Sequence, residues 1–252
     1  MQYAVITGIS RGLGEAVAKQ FIEKGVNIIG VSRSENDQLN ASAEDAGVRY
    51  SHVSCDLSDP EQLEEGLKAI SSYVFEETTE YVYLINNAGV VEPIDTVGRL
   101  NPETVTKHMQ VNVTAPILLV NHLLPIANKH HIPMGIINIT SGAAEKTIHG
   151  WSTYSSSKAA INRFTETLAL EQKEQEHLIL AYSPGVMDTE MQEDIRSSSE
   201  EAFADVEKFR KLKEEGSLRS PEKVAEVLMD LISKPEQIEN GKVYKLYDLV
   251  KD

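Results

Sequence analysis

A tyrosine and a lysine four residues apart form the pair in this sequence with the clearest potential for chemistry. Tyr154 and Lys158 open a predicted helix, in which positions i and i+4 share one face. A phenol with its usual pKa of ~10 is a poor acid–base catalyst near neutral pH. An ammonium ~5 Å away, at an effective dielectric constant of ~20, would favour phenolate by ~3 kcal/mol, or about 2 pKa units. The spacing predicts a tyrosine tuned for proton transfer, although such pairs also arise by chance on structural helices.

A glycine-rich turn near the amino terminus is the second candidate. Thr7-Gly8-Ile9-Ser10-Arg11-Gly12-Leu13-Gly14 follows a short apolar run and precedes an amphipathic pattern. Glycines let backbone N–H groups approach a phosphate, and a helix N-terminus adds partial positive charge. The spacing G-x-x-x-G-x-G differs from the commoner G-x-G-x-x-G fingerprint. In a strand–turn–helix context it predicts a nucleotide site, whereas a glycine-rich turn alone is often only a turn.

Basic residues indicate which nucleotide binds. An NAD site places an acidic residue about 20 positions after the turn, where it holds the ribose 2′-hydroxyl. Here the second predicted strand ends in Ser32-Arg33, and Arg11 lies inside the glycine turn. Guanidinium groups offer paired donors to a phosphate. The sequence therefore predicts NADP(H); the alternative is that both arginines are solvated surface residues.

Short β-branched runs alternate with helical patterns along the chain, and they must position these residues. In the first helical pattern Leu13, Val17 and Phe21 fall at i, i+4 and i+8. The alternation predicts a single α/β domain over residues 1–252, a Rossmann-like doubly wound sheet of about seven parallel strands with helices on both faces. The predicted strands lie near residues 2–7, 26–31, 49–54, 81–86, 135–140, 178–182 and 242–247, and the predicted helices near 12–24, 60–75, 102–130, 152–174 and 221–233.

The polar segment 189–217 is the one compositional break. It is either a solvated helical excursion or a mobile lid. Its place after a core strand, at the carboxyl edge of the predicted sheet, favours a lid over the site.

Composition restricts the partners and the compartment. The 24 Lys+Arg and 39 Asp+Glu residues give a net charge of −15, which argues against nucleic acid or an anionic membrane surface as a partner. The single cysteine, Cys55, excludes a disulfide framework or a cysteine zinc cluster. The adjacent His130 and His131 point apart on a helix, so no metal site is expected. We see no targeting segment and expect a soluble, cytoplasmic protein.

The motifs occur together and in order over most of the chain, and this combination is specific. The sequence resembles the short-chain dehydrogenase/reductase family, in the NADP-preferring form that carries a basic residue in the glycine turn. The motifs that carry the resemblance are Thr7-Gly8-x-x-x-Gly12-x-Gly14, Asn86-Asn87-Ala88-Gly89, Asn112, Ser141, Tyr154-x-x-x-Lys158 and Ser183-Pro184-Gly185.

The resemblance implies catalytic roles. Tyr154 would protonate a carbonyl oxygen as hydride arrives from the nicotinamide, and Ser141 would hydrogen-bond that oxygen. Lys158 would tune Tyr154 and hold the nicotinamide ribose. Asn112 would support a water that links Lys158 to solvent. The cofactor is expected to contact Tyr154 and Lys158 and also Gly8, Ser10, Arg11, Gly12, Leu13, Gly14, Ser32, Arg33, Asp56, Leu57, Asn87, Ala88, Gly89, Pro184, Gly185, Val186 and Thr189.

Three residues flank the expected catalytic elements, and their role is open. His149, Trp151 and Met187 either line a substrate pocket together with Ser141 and Tyr154, or serve only in packing.

Within the family, the sequence resembles bacterial benzil reductases and sepiapterin reductases, which both reduce one carbonyl of a vicinal dicarbonyl. Sepiapterin reductases anchor the pterin through a carboxylate in the last strand, where this chain has Lys245. A cation there would repel a guanidine-like group, although Asp248 is near. The expected activity is therefore NADPH-dependent reduction of an aromatic or apolar 1,2-diketone, of the benzil-to-benzoin type, with sepiapterin reduction as the alternative.

Other functions remain open. An NADP-binding sensor or scaffold would not need the complete set of Ser141, Tyr154, Lys158 and Asn112. An alcohol dehydrogenase would use the same residues in the opposite direction. Family members commonly pair through the long helices, here 102–130 and 152–174, so a homodimer is expected.

Overall fold

Apolar, β-branched runs form the strands of the sheet at the centre of the structure. A computed structural model describes residues 1–250 of the chain. Within them, the strands are β1 (Gln2–Thr7), β2 (Asn27–Ser32), β3 (Tyr50–Ser54), β4 (Tyr81–Asn86), β5 (Met134–Ile139), β6 (Leu178–Ser183) and β7 (Val243–Lys245). They form one seven-stranded sheet in the order β3-β2-β1-β4-β5-β6-β7, and each pair is parallel. The predicted doubly wound sheet is confirmed.

Helices begin where a polar side chain can cap the first turn. The Asp59 carboxylate, for example, accepts hydrogen bonds from the backbone N–H groups of Glu61 and Gln62, and Pro60 follows at the first helical position. The helices are α1 (Gly12–Glu23), α2 (Asp37–Ala46), α3 (Pro60–Val74), α4 (Pro102–Met109), α5 (Ala115–His130), α6 (Ser152–Glu171), α7 (Glu190–Ser197), α8 (Val206–Glu214), α9 (Pro221–Ile232) and α10 (Leu246–Leu249).

Successive strand residues point to opposite faces of the sheet, and each face has its own core. Val5 and Leu84 belong to a cluster that includes Leu119 of α5. The next residues along the strands, Ile6 and Ile85, belong to a second cluster with side chains of α1 and α9. The helices therefore cover both faces, as the continuous apolar strands predict.

The structure corrects three details of the predicted elements. The last strand ends at Lys245 rather than near residue 247, and Leu246–Leu249 turn into the short helix α10. Helix α2 was not predicted, because only Leu39 and Ala43 of this polar segment are buried. The predicted helix over 102–130 is continuous but contains a π-helical turn, Gln110–Thr114.

The segment Pro102–His130 is also long and apolar enough to span a membrane by length and composition, because it contains an 18-residue window with a mean hydropathy of 1.3. Its apolar side packs on the sheet, where Ala115, Leu119 and Leu123 have no exposed surface. The segment is therefore a core helix in this fold.

The strand order reverses between β1 and β4, because the chain first adds β2 and β3 on one side and then returns to the other. In such sheets ligands bind outside the carboxyl ends of the strands at this switch point. The motifs of the sequence follow the carboxyl ends of β1, β4, β5 and β6. The fold therefore brings these motifs to one edge of the sheet.

Candidate active site

The glycine turn after β1 has a conformation that side chains would block. Gly8 and Gly12 have φ of +67° and +60°, in the left-handed region that favours glycine. A Cβ on Gly14 would lie 2.2 Å from the Gly8 carbonyl oxygen, and one on Gly8 would lie 2.9 Å from Ala88 Cα. Helix α1 starts directly from this turn. The cradle fits the pyrophosphate of a dinucleotide, which binds backbone N–H groups at a helix N-terminus.

Hydrogen bonds of Thr7 and Asn87 connect this turn to the end of β4. The Thr7 hydroxyl oxygen accepts hydrogen bonds from the backbone N–H groups of Asn87 (3.0 Å) and Ala88 (2.9 Å). The Asn87 amide donates to the carbonyl oxygens of Thr7 (2.9 Å) and Gly8 (3.2 Å). The structural role of Thr7 was missed at the sequence level, although it opens the motif. These hydrogen bonds connect the ends of β1 and β4, the two strands between which the strand order reverses.

The basic residues lie at the rim of the cradle. Arg33 is exposed after β2, while Ser32 is buried and donates to the Ser34 carbonyl oxygen at 2.8 Å. Arg11 forms an ion pair with Glu190, the first residue of α7. This pair could not be predicted from the sequence, because its partners lie far apart along the chain.

Other residues that are predicted to contact the cofactor make contacts within the protein. The Asp56 carboxylate accepts hydrogen bonds from the backbone N–H and the hydroxyl of Ser58, at 2.9 and 2.8 Å, and so orders the turn after β3. Leu57 and Leu13 are buried in the core. The Ser10 carbonyl oxygen accepts from the side chain of Asn36, the residue that caps α2.

Ser141, Tyr154 and Lys158 meet at the carboxyl end of β5. Ser141 follows the strand, and Tyr154 and Lys158 lie on the first turns of α6 with only 7% and 5% of their surfaces exposed. The Ser141 hydroxyl hydrogen-bonds the Tyr154 phenol. Lys158 Nζ donates to the Ile139 carbonyl oxygen at 3.0 Å and lies 5.8 Å from the centre of the Tyr154 ring. The structure thus brings these predicted residues together.

The predicted lowering of the Tyr154 pKa by Lys158 is wrong for this structure. Burial raises the pKa of Tyr154, and the hydrogen bond with Ser141 only partly offsets that effect. Burial also lowers the pKa of Lys158 to about 8, because the charged ammonium is removed from water. The cost of removing both groups from water, which the spacing of Tyr154 and Lys158 does not reveal, outweighs the attraction between them.

Asn112 lies in the π-helical turn between α4 and α5, and its amide is fixed against Val90. Its Oδ1 accepts from the Val90 N–H at 2.9 Å, and its Nδ2 donates to the Val90 carbonyl oxygen at 2.8 Å. Asn112 Oδ1 and Lys158 Nζ lie 3.4 and 3.5 Å from the place that a Cβ on Gly89 would take. Both side chains therefore border the glycine that closes the Asn86–Gly89 motif.

Two buried residues beside this set were missed from the sequence, His108 and Ser157. His108 Nε2 lies 2.9 Å from Ser157 Oγ and 3.0 Å from Asn112 Nδ2. Ser157 Oγ donates to the Tyr154 carbonyl oxygen at 2.8 Å. The usable signal was the spacing, since His108 precedes Asn112 by one helical turn and Ser157 precedes Lys158 by one residue.

An aromatic cluster covers Tyr154 from the side of the 189–217 segment. Trp151 packs its edge on the Tyr154 ring at 5.1 Å between centroids and stacks on Phe203 at 4.8 Å, with 21° between the rings. Phe209 of α8 lies 5.5 Å from both Trp151 and Phe203. The segment is therefore more than a solvated excursion, because its buried face joins the cluster that contains Tyr154.

The other two candidate substrate residues lie elsewhere. His149 is exposed, and Met187 packs with the second core cluster while its backbone pairs with Arg219. Of the three candidates only Trp151 contacts Tyr154, and it does so as a buried member of the aromatic cluster.

The turn after β6 contacts both helix α10 and the glycine turn that follows β1. Gly185 has φ of +73°, and a Cβ there would lie 2.9 Å from the Tyr247 ring. The Val186 N–H donates to Tyr247 Oη at 3.3 Å. Thr189 Cγ2 lies 3.5 Å from the place of a Cβ on Gly12. The start of the 189–217 segment therefore reaches the cradle.

Lys245, at the end of β7, forms an ion pair with Glu145 at 2.6 Å. Glu145 ends the short 3₁₀ turn Gly142–Glu145 that follows Ser141. The hydrogen bond with Glu145 raises the pKa of Lys245, so this cation stays charged near neutral pH.

Comparison with known proteins agrees with this geometry. The sequence profile of the short chain dehydrogenase family matches residues 2–200. The chain therefore belongs to the short-chain dehydrogenase/reductase family. It is an oxidoreductase of the carbonyl-reductase type, and its family uses a nicotinamide cofactor.

Individual relatives cover almost the whole chain. The chain is 38% identical to benzil reductase ((S)-benzoin forming) of Bacillus subtilis, over 99% of this chain and 100% of that protein. It is 37% identical to the benzil reductase ((S)-benzoin forming) of Bacillus cereus, over 98% and 99%. The crystal structure of a short-chain dehydrogenase/reductase from Saccharomyces cerevisiae superposes with a TM-score of 0.80 at 27% identity, covering 97% of this chain and 96% of that one.

Proposed function

We propose that this protein is an NADPH-dependent reductase that converts one carbonyl of an aromatic or apolar 1,2-diketone to the alcohol. The observation that carries the proposal is the placement of Tyr154. Its phenol is hydrogen-bonded to Ser141 and its ring packs against Trp151, so the proton donor stands beside apolar, aromatic surface. Two relatives that span the whole chain are named as benzil reductases.

Tyr154 is the general acid in this proposal. Because burial raises its pKa, the phenol is protonated at neutral pH, which is the form that can give a proton to a carbonyl oxygen. Ser141 orients that oxygen through its hydroxyl. The nicotinamide cofactor, when bound, supplies the hydride. Lys158 and Asn112 border Gly89 and return a proton toward Tyr154 from solvent.

NADP(H) is the proposed cofactor, held by the glycine cradle. Arg11 and Arg33 lie at its rim with their side chains exposed, and they suit the 2′-phosphate, to which guanidinium groups donate in pairs. A phosphate that binds Arg11 competes with the carboxylate of Glu190. The other cofactor contacts expected from the family resemblance belong to the same proposal.

The 189–217 segment is the proposed substrate lid of this single-domain chain. It contributes Phe203 and Phe209 to the cluster on Trp151 and Tyr154. Aromatic rings prefer offset or edge-to-face neighbours, which the phenyl groups of a benzil-like diketone provide. The lid excludes water from the proton donor when it packs in this way.

Sepiapterin is the alternative substrate, and Lys245 argues against it. Its ammonium group pairs with Glu145, so the carboxylate beside the end of β7 is already neutralised and is not free to bind a guanidine-like group. A non-catalytic NADP sensor is disfavoured for another reason: it has no use for a buried phenol such as that of Tyr154 as a proton donor, because simple binding transfers no proton.

The test is NADPH oxidation with benzil, 1-phenyl-1,2-propanedione and sepiapterin at matched concentrations, with NADH in parallel. We expect the diketones to have the highest kcat/KM, with NADPH preferred. The highest kcat/KM for sepiapterin would contradict the diketone proposal, and the absence of turnover with every carbonyl compound would favour the sensor.

A further inference from the structure

A buried histidine adjoins the catalytic set without being part of it. His108 has no exposed surface and lies in α4, one turn before Asn112. Its Nδ1 is 2.6 Å from the Glu92 carbonyl oxygen. Since a carbonyl oxygen only accepts, Nδ1 carries a proton. In the neutral imidazole, Nε2 is therefore an acceptor, and it faces Asn112 Nδ2 at 3.0 Å.

This contact completes the hydrogen bonding of the Asn112 amide. One Nδ2 hydrogen goes to the Val90 carbonyl oxygen, and the other is shared between His108 Nε2 at 3.0 Å and Ser157 Oγ at 3.3 Å. Oδ1 accepts from the Val90 N–H, which leaves one lone pair of Oδ1 free, and Oδ1 and Lys158 Nζ both border Gly89. The contacts with Val90 and with His108 favour the same orientation of the amide, which leaves Oδ1 next to Gly89.

We propose that His108 is a positioning residue for the reduction: its neutral imidazole holds the Asn112 amide in the orientation that presents Oδ1 beside Lys158. The inference rests on the proposed function, because it assigns Asn112 to proton return. A protonated imidazole would place an Nε2–H against the Asn112 Nδ2–H, donor against donor. Its Nε2–H could then bond only Ser157 Oγ, at 2.9 Å.

The surroundings of His108 keep it neutral. Helix α6 presents Lys158, whose charge disfavours a second cation, together with Ser157 and the edge of the Tyr154 ring at 6.1 Å. The loop after β4 contributes the Glu92 carbonyl oxygen, which favours the cation. On α4 itself, Lys107 and Glu103 pair with each other at the surface. Burial is the largest effect, and the pKa of His108 is lowered.

The first test is the tautomer of His108, measured on the protein alone by nitrogen-15 NMR of the imidazole. We expect the proton on Nδ1 in the neutral form at pH 7. A proton on Nε2 would overturn the proposal, because Nε2 could then not accept from Asn112. This measurement needs neither substrate nor variant, so it stays decisive even if variants of this buried residue fail to fold.

The second test is the pH profile of kcat between pH 5 and 8 for the wild type, His108→Gln and His108→Leu, with whichever carbonyl compound the wild type reduces fastest. Gln keeps a non-titrating acceptor near the position of Nε2, so we expect near wild-type kcat at pH 7 and no loss at acid pH. Leu has no acceptor, so kcat should fall about tenfold, as for one lost buried hydrogen bond, with KM within about twofold.

The matched control is His177→Gln, because His177 is another buried histidine whose pKa is lowered by burial. It bonds the Met134 N–H at the opposite end of β5, so its variant should keep the wild-type profile. An acid limb that persists in His108→Gln, or wild-type kcat in His108→Leu, would overturn the proposal. Failure of the diketone proposal would show instead as absent benzil reduction by the wild type.

Discussion

Arg11 and Glu190 form an ion pair that joins the glycine turn to the first residue of α7. The arginine is a proposed ligand of the cofactor 2′-phosphate, and the carboxylate belongs to the proposed substrate lid. The two proposed binding functions therefore meet at one side-chain contact, and cofactor binding must rearrange it.

We predict that Glu190→Gln tightens NADPH binding by about two- to fivefold, the range that a solvent-exposed ion pair spans. The variant frees Arg11 for the phosphate, whereas NADH affinity should change little. Fluorescence titration of both cofactors measures this effect. Glu193→Gln, an exposed carboxylate on the same helix, is the control for a general change of charge. Weaker NADPH binding in Glu190→Gln would contradict the competition.

Arg33→Ala should weaken NADPH binding by about tenfold or more, as expected for a charge-assisted contact to phosphate, and NADH binding much less. The ratio of the two dissociation constants is the quantity to measure. Arg163→Ala, which removes a surface arginine paired with Glu166, controls for net charge. Equal losses for the two cofactors would remove Arg33 from the 2′-phosphate site.

Tyr154→Phe should lower kcat by about 100-fold or more, the range of a lost general acid, with NADPH affinity nearly intact. Steady-state reduction of a diketone and cofactor titration measure the two effects. Tyr73→Phe removes a hydroxyl from an exposed tyrosine and should leave both unchanged. Substantial residual reduction would mean that another group donates the proton.

The pH dependence of folding provides a test of the buried lysine. The pKa of Lys158 is about 8 in the folded protein and ~10.4 in an unfolded chain. The unfolded chain therefore binds more protons between these values, and wild-type stability gains from rising pH there.

We expect Lys158→Met to lack this gain. Its stability relative to the wild type should fall by about 3 kcal/mol between pH 7 and 10.5, measured by urea unfolding without cofactor. Lys129→Met, at an exposed position, should follow the wild type. A relative stability of Lys158→Met that is constant with pH would contradict the lowered pKa.

The close approach at the glycine turn predicts a specific cost. A Cβ on Gly14 would meet the Gly8 carbonyl oxygen at 2.2 Å, so Gly14→Ala should destabilise the fold by about 1–3 kcal/mol and weaken cofactor binding. Gly142→Ala is the matched substitution, because a Cβ there would meet no atom within 4 Å. Its stability should stay within about 0.5 kcal/mol of the wild type. Equal unfolding temperatures for Gly14→Ala and Gly142→Ala would contradict this prediction, because the turn would then have shifted to accommodate the added Cβ.

Much of the fold was predictable because local patterns agree with the tertiary structure. Runs such as Asn27–Ser32 are buried along their whole length, and a parallel sheet is the arrangement that buries such runs. The polar α2 (Asp37–Ala46) escaped prediction because its helix is set by the Asn36 cap and two buried side chains rather than by a long apolar stripe.

Site residues were predictable where the backbone leaves room only for glycine, as at Gly8 and Gly14. They were not predictable where the tertiary structure creates the contact. His108 reaches Ser157, which is 49 positions later in the chain, only because α4 packs beside α6. Likewise, the direction of the Tyr154 pKa shift depends on burial, which the spacing to Lys158 does not report.

Trp151 is the only tryptophan in the sequence, and it stacks on Phe203 of the proposed lid. All tryptophan emission therefore comes from the place where the proposed lid meets Tyr154, the proposed proton donor. The protein carries an intrinsic optical probe at that contact, so stopped-flow fluorescence can follow lid motion during turnover without a label. The rate of that motion can then be compared directly with kcat.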